Sequence, residues 1–311
     1  MVNFCIPEYC ERYMKHITHK MHFFTSSNIW DHHIRKGNVI LWLKNFNDNF
    51  GRYIAHKILD NFIYYSDPEV EAICIYLVDL LKREIIFKHF LKDKTIPCES
   101  YINEEWEKVL KSLRFIPVKD TDPATSGLVL CQKLKTIGID SDLITFSHSI
   151  PKLINDGIKY IIFIDDFIGT GKQASTFFNN KDLFNNGYSI SDIANNHPEV
   201  NFYYITVAGT EMGIAKLHND SNNIKLIVSE ILTEEYCMFS PKCNMWESPE
   251  EQKAAESYIA QISKEMGIDD NCKGFGELSL LLAFSHCIPN NALPLLWYSE
   301  NGWNPLIRRN D

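Results

Sequence analysis

The apolar positions follow two regimes along the chain. Up to about residue 100 they recur at three and four residues, the spacing of one helix face. Tyr53, Ile54, Ile58 and Phe62 mark one such face; Val70, Ile73, Cys74, Leu77, Leu80, Leu81 and Ile85 mark a longer one running to about Leu91. The longer one opens on Ser66-Asp67-Pro68-Glu69, a capping box in which Ser66 accepts from the N3 amide and Glu69 reaches back. Residues 40–91 therefore read as a helical pair or more, with Lys92-Asp93-Lys94 and Pro97 as a connector.

After residue 100 short β-type runs alternate with helical stretches. Arg114–Val118, Tyr160–Ile164, Phe202–Val207 and Ile224–Val228 are rich in β-branched and aromatic residues. The second is apolar without alternation, as in a strand covered on both faces. Helical stretches near Leu128–Thr136, Pro151–Asp156 and Lys172–Phe184 fall between them. This alternation predicts an α/β fold with a parallel sheet. Ser248-Pro249-Glu250-Glu251 repeats the capping signature and predicts a helix over Pro249–Met266, and Phe275–Phe284 reads as another. The expected division is a helical N-terminal region, 1–99, and an α/β domain, 100–311.

Composition narrows the function classes. The chain has 311 residues, 45% hydrophobic and 23% charged, close to an ordinary folded protein with ample material for a core. A formal charge of −9 argues against a whole surface built to grip a polyanion. No apolar run approaches the roughly 18 residues of a membrane span, and the N-terminus, with Glu8 and Glu11, does not read as a signal peptide. Nine cysteines at irregular spacing fit reduced thiols in a cytoplasm better than a disulfide framework.

The chemistry concentrates in Tyr160–Gln173. An apolar strand runs into Asp165 and Asp166, and then into Gly169-Thr170-Gly171, which opens a helix. In an open parallel sheet ligands sit outside the carboxyl ends of the strands. There the amides of the Ile168–Lys172 turn can cradle a phosphate. The two acids suit hydroxyl groups, or a divalent cation lying between them and the anion. A sugar phosphate with vicinal hydroxyls, held with Mg²⁺, meets both demands. A nucleotide P-loop does not fit, because its first glycine would fall at Asp166 and Gln173 replaces the Mg²⁺-binding hydroxyl. The plainer alternative is a solvated strand-to-helix turn that uses glycine for tight geometry.

Ile161–Gln173 resembles the phosphoribosyl-diphosphate (PRPP) signature of the type I phosphoribosyltransferases: four apolar residues, two acids, two apolar residues and a short turn with Thr-Gly. More diffusely, residues 100–311 resemble stand-alone phosphoribosyltransferase-like proteins of bacterial conflict (antiphage) systems. That second likeness rests on Asp165–Lys172, on Pro289-Asn290-Asn291-Ala292-Leu293-Pro294, on Trp297 and on Trp303-Asn304-Pro305-Leu306. The resemblance implies a Rossmann-like parallel sheet of the type I phosphoribosyltransferase kind behind a helical N-terminal region. It implies that Asp165 and Asp166 hold the ribose hydroxyls and meet Mg²⁺ indirectly, through those hydroxyls or water. Ile168, Gly169, Thr170, Gly171 and Lys172, with Gln173 beside them, would surround the 5′-phosphate. The family's upstream pyrophosphate loop would correspond to Lys119–Gly127, with Lys119 facing the diphosphate and Ser126-Gly127 capping the next helix; an ordinary loop with Lys119 solvated serves equally.

Two positions depart from the family pattern. Gly169 stands where purine-salvage members commonly carry an Asp that serves the incoming base, and Gln173 where a Thr often adds a phosphate contact. The resemblance thus implies a Mg²⁺-dependent phosphoribosyltransferase-like effector in antiphage defence. The alternative is an altered module that senses a ribose phosphate and signals to a partner protein.

Weaker signals stay open. Cys5, Cys10, His16, His19, His22, His32 and His33 crowd the N-terminus without the spacing of a zinc set, and Cys237 and Cys243 lack partners. Residues 1–60 hold eight Lys+Arg against five Asp+Glu, with six His, a balance that suits nucleic acid, another subunit or an ordinary helical surface. Trp297 and Trp303 read as packing residues and Arg308-Arg309 as a solvated tail.

Overall fold

The computed structural model describes residues 4–93, 98–119, 125–184, 187–268 and 271–309. In chain order its elements are α1 (Cys10–Ser26), α2 (Lys36–Leu43), α3 (Asn49–Asp60), β1 (Ile63–Tyr65), α4 (Asp67–Asp93), α5 (Glu99–Lys111), β2 (Leu113–Pro117) and α6 (Ser126–Thr136). There follow α7 (Ile150–Asn155), β3 (Tyr160–Ile168), α8 (Lys172–Phe178), α9 (Ile190–Asn196), β4 (Asn201–Thr210), α10 (Glu211–Asp220), β5 (Ile224–Leu232), α11 (Pro249–Glu265) and β6 (Leu282–Phe284). They build two compact units, residues 1–67 with 233–311 and residues 68–232. The change of pattern near residue 100 falls inside the second unit, between α4 and α5.

In the second unit the four β-type runs become one parallel sheet, in the order β2-β3-β4-β5. Sequential parallel strands need a helix at each return, and the intervening helices supply it. Register runs from Ile116↔Phe163 across to Ile164↔Ile205 and Ile205↔Ile227. Ile161, Ile162, Phe163 and Ile164 are each fully buried, so β3 is covered on both faces as its unbroken apolar run requires. α7, α8 and α9 pack their buried Ile150, Phe177, Phe178 and Ile193 against Ile161, Phe163, Phe202 and Tyr204. The α4 stripe is in place, with Val70, Cys74, Leu77, Leu81 and Ile85 buried. α8 is shorter than the helix read from the sequence and stops at Phe178.

The first unit joins the two ends of the chain. Trp42 of α2 donates its indole N–H to the Leu295 carbonyl at 2.7 Å, and Trp303 donates to the same oxygen at 3.0 Å. Trp42, Phe46, Ile54, Ile58, Ile259 and Leu296 share the core around them. Ser248 caps α11 by accepting the Glu251 N–H at 3.1 Å, behind Pro249 in the first turn. The helix read over Phe275–Phe284 is a correction. Gly274 and Gly276 take left-handed φ values of 75° and 70°, and Leu282–Phe284 pairs in parallel with β1 as β6. Arg308-Arg309 is also not simply a solvated tail: the Arg309 guanidinium lies 4.8 Å from the Trp297 ring centroid and donates to Asn290. Trp303 is packed in the core as read.

A buried ionic cluster ties α3 to α11. The Lys57 ammonium donates to the Met245 carbonyl at 3.1 Å, lies 3.7 Å from Glu251 and sits over the rings of Tyr13 and Tyr53. Glu251, 1% exposed, accepts from the Tyr53 hydroxyl at 2.7 Å and from the Glu247 N–H at 2.6 Å. Removing one member of such a pair strands the other charge away from water. Lys57→Met is therefore expected to cost about 3–5 kcal/mol in chemical denaturation, and Lys57→Met/Glu251→Gln to recover most of that loss.

Candidate functional site

The site is built where β3 leaves the sheet. Pairing with β4 continues through the acids, with Asp165 opposite Thr206 and Ile168 opposite Gly209. Asp165 and Asp166 are 1% and 4% exposed, so both carboxylates are buried. One Asp165 oxygen accepts from the Ser126 hydroxyl at 2.6 Å and from the Asp166 N–H at 3.0 Å, and the other from the Tyr204 hydroxyl at 3.4 Å. Burial, and then the charge of Asp166, push the Asp165 carboxyl well above the usual carboxylate range, while the Ser126 and Asp166 donors pull the other way. Burial and Asp165 push the Tyr204 phenol up, so it stays protonated and donates.

The turn that follows is clamped by the start of α10. Gly169 accepts the Thr210 hydroxyl on its carbonyl at 2.6 Å, and the same hydroxyl oxygen accepts the Gly213 N–H at 3.0 Å. A Cβ at Gly213 would lie 2.1 Å from the Gly169 oxygen, and one at Gly171 would lie 2.6 Å from the Gly213 oxygen. Backbone meets backbone here, which only glycine permits. Gly171 also takes a left-handed φ of 72°. Across a trans peptide the carbonyl and the next amide point opposite ways. With the Gly169 carbonyl turned to α10, the Thr170 N–H is turned away from it. The structure keeps Ile168 in the ladder with its side chain in the core, so Gly169–Lys172 forms the turn itself. Lys172 and Gln173 are exposed, and Thr170 is half-buried.

Upstream, Lys119 is exposed and adopts a left-handed φ of 57° as the chain leaves β2. The pyrophosphate-loop reading falls largely on residues 120–124, which lie outside the described residues. At its far end the expected cap is corrected. Thr125 is the N-cap residue of α6 and donates its hydroxyl to the Val118 carbonyl at 2.9 Å, while Ser126 turns to Asp165. Gly127 lets the helix approach the sheet, since a Cβ there would lie 2.9 Å from the Ile164 oxygen.

Oxygen donors of this kind belong to the class that hard divalent cations take. The Asp165 oxygens already accept from protein donors, so a cation would reach the pair through water or a ligand's hydroxyls rather than by displacing those contacts. Among the described residues, Cys5, Cys10, His16, His19 and His22 gather into no three-ligand cluster. Asp31, His32 and His33 do approach one another, but Asp31 accepts from the Tyr64 hydroxyl at 2.7 Å and from the His33 and Asp67 amides, a staple that holds that turn to β1 and the residues just after it.

A family model, PRTase-CE, matches residues 39–309, most of the chain and all of the site. The chain belongs to the PRTase-CE family. No curated protein matches it. The family is phosphoribosyltransferase-like, and the mixed α/β architecture with its parallel sheet is of the Rossmann-like kind that membership entails. Among the described residues, no helix of this PRTase-CE protein is long and apolar enough to cross a membrane.

Of the residues that shape the site, the sequence marks Ser126 only as a helix cap and Tyr204 only as part of an apolar strand. Ser126 and Tyr204 reach Asp165 across the sheet, which no local pattern reports. Thr210 and Gly213 were readable as a Thr-x-x-Gly helix start after an apolar strand, because Thr210 is the N-cap of α10. Gly213→Ala would force the turn and α10 apart, and a loss of about 1–3 kcal/mol is expected from its thermal or denaturant midpoint.

The raised Asp165 pKa gives a pH signature. Such an acid binds more protons folded than unfolded, so it weakens folding as pH rises above the unfolded value of about 4. In metal-free buffer the melting temperature of Asp165→Asn relative to the wild type should therefore rise from pH 4 to pH 7. A constant difference would mean that Asp165 stays ionised in the fold.

Proposed function

We propose that this PRTase-CE protein binds PRPP or a related ribose phosphate together with Mg²⁺, and acts as a phosphoribosyltransferase-like effector in bacterial antiphage defence. One observation carries the reading: in a chain of this family, the Asp-Asp strand end runs into a Gly-Thr-Gly turn held by α10, at the carboxyl edge of a parallel sheet. Asp166, and Asp165 behind it, supply acceptors for the ribose hydroxyls. The Gly169–Lys172 turn supplies amides, with the Thr170 hydroxyl beside them, for the 5′-phosphate. Lys172, Gln173 and Lys119 are exposed and would meet the phosphates from outside.

If transfer occurs, the bond from C1′ to the diphosphate oxygen breaks and the pyrophosphate leaves with the electron pair. The acceptor forms the new bond to C1′ and gives up its proton. Bound Mg²⁺ would neutralise charge on the diphosphate. The chain's own part is to hold the ribose rigidly and to keep its carboxylates on one side of the developing positive charge.

A second reading, a sensing module that binds the ribose phosphate without turning it over, is favoured by Gly169, which offers no carboxylate to an incoming base. Calorimetric titration with PRPP, with and without Mg²⁺, tests the shared core of both. Heat that requires Mg²⁺ and is lost in Asp165→Asn/Asp166→Asn is the expected result, with a stabilisation of about 2.7 kcal/mol at ligand near 100 times Kd. No heat and no stabilisation at millimolar PRPP would remove PRPP as the ligand, and the same outcome with ribose 5-phosphate would remove both readings. Pyrophosphate release then separates transferase from sensor.

A further inference from the structure

Helix α1 shows solvent a face of one kind. Its buried side is set by Ile17 and Met21. Opposite them, at three- and four-residue spacing, come Arg12, Lys15, His16, His19, His22 and Phe23. All but the half-buried His22 are exposed, and Phe23 is 60% exposed. Glu11 is the helix's one acid and stands at the stripe's edge. Lys20, on the flank, is paired with Asp60 at 2.7 Å. Among the described residues, Arg12, Lys15 and Lys36 enter no ion pair.

Lys36 and His19 stand close enough to His22 for their charges to act on it. After burial, the charges of Lys36 on α2 and of His19 push its imidazole below the usual range. An acidic chain therefore gathers cations along one helix and sets a bare phenyl ring among them. The stripe lies ahead of the family-matched residues 39–309 and in the other unit from the ribose-phosphate site, so it is independent of that reading.

We propose that this face of α1, together with Lys36, binds single-stranded nucleic acid, with phosphates on Arg12, Lys15 and Lys36 and a base stacked on Phe23. Charge complementarity selects a polyanion. The exposed ring selects unpaired bases, since every base offers a face to stack on and a duplex hides it.

Fluorescence anisotropy of the full chain with a labelled single-stranded DNA of about 20 nucleotides tests this, beside the matching duplex and vesicles of anionic phospholipid. Three phosphate contacts predict a log–log salt slope of about −2, or about twentyfold weaker binding between roughly 50 and 200 mM salt. Phe23→Ala should weaken binding about tenfold, and Arg12→Gln/Lys15→Gln/Lys36→Gln should abolish it. Lys135→Gln/Lys152→Gln/Lys264→Gln, with equal charge removed elsewhere, should bind as the wild type does. The proposal is overturned by no binding at low salt, by stripe variants that bind normally, by equal or tighter binding of the duplex, or by vesicle binding in place of nucleic acid.

Discussion

A carboxylate inside a strand that is buried on both faces must be matched by donors from its neighbours, and Asp165 imposes that condition on the whole carboxyl edge of the sheet. Its donors come from three places: the first turn of α6, the backbone of β3 itself and the phenol of β4. An unmet buried carboxylate is costly, so these elements cannot shift independently of β3. The first turn of α6, the acids and β4 are thereby set in one arrangement before any ligand arrives. That is the preorganisation a positioning enzyme needs, and equally what a receptor with a fixed pocket needs.

The second constraint is steric. The turn after Ile168 and the start of α10 approach closely enough that Gly213 has no room for a methyl group. The contact joins consecutive strand-to-helix turns on neighbouring strands, β3 to α8 and β4 to α10. Because Thr210 fastens the Gly169 carbonyl, the polarity of the turn follows from packing alone. On the proposed reading, the loop's hold on a phosphate is then a property of the backbone, to which the exposed side chains of Lys172 and Gln173 add from outside.

How much of this could be read in the sequence depends on the range of the forces involved. The four sheet strands announced themselves because burial on both faces selects β-branched and aromatic residues locally, as Tyr160–Ile164 shows. The acids and the Gly-Thr-Gly turn were equally local. Phe275–Phe284 misled because Leu278, Leu281 and Leu282 mimic a helical face, whereas the glycines at 274 and 276 and the pairing of Leu282–Phe284 with Ile63–Tyr65 decide otherwise. β1 escaped notice for the same reason: three residues gain strand character only from a partner more than 200 positions away. The joining of Trp42 to Leu295 and Trp303 is also a purely three-dimensional fact. Nothing local marks Lys57 and Glu251 as buried charges; only the packing of α3 on α11 makes them core.

On the proposed reading, the difference between the two halves of the site is itself informative. Holding a ribose phosphate draws on backbone amides and on carboxylates locked by the sheet, and both are present. Choosing an acceptor draws on side chains, and Gly169 withdraws the one that purine-salvage members commonly turn to the incoming base. An oxocarbenium-like centre is electrophilic enough that alignment counts for more than activation of the nucleophile. A chain that keeps the alignment and drops the base-recognising acid has therefore kept the costly part of the chemistry and released its selectivity. That combination suits an effector whose acceptor is not a free purine.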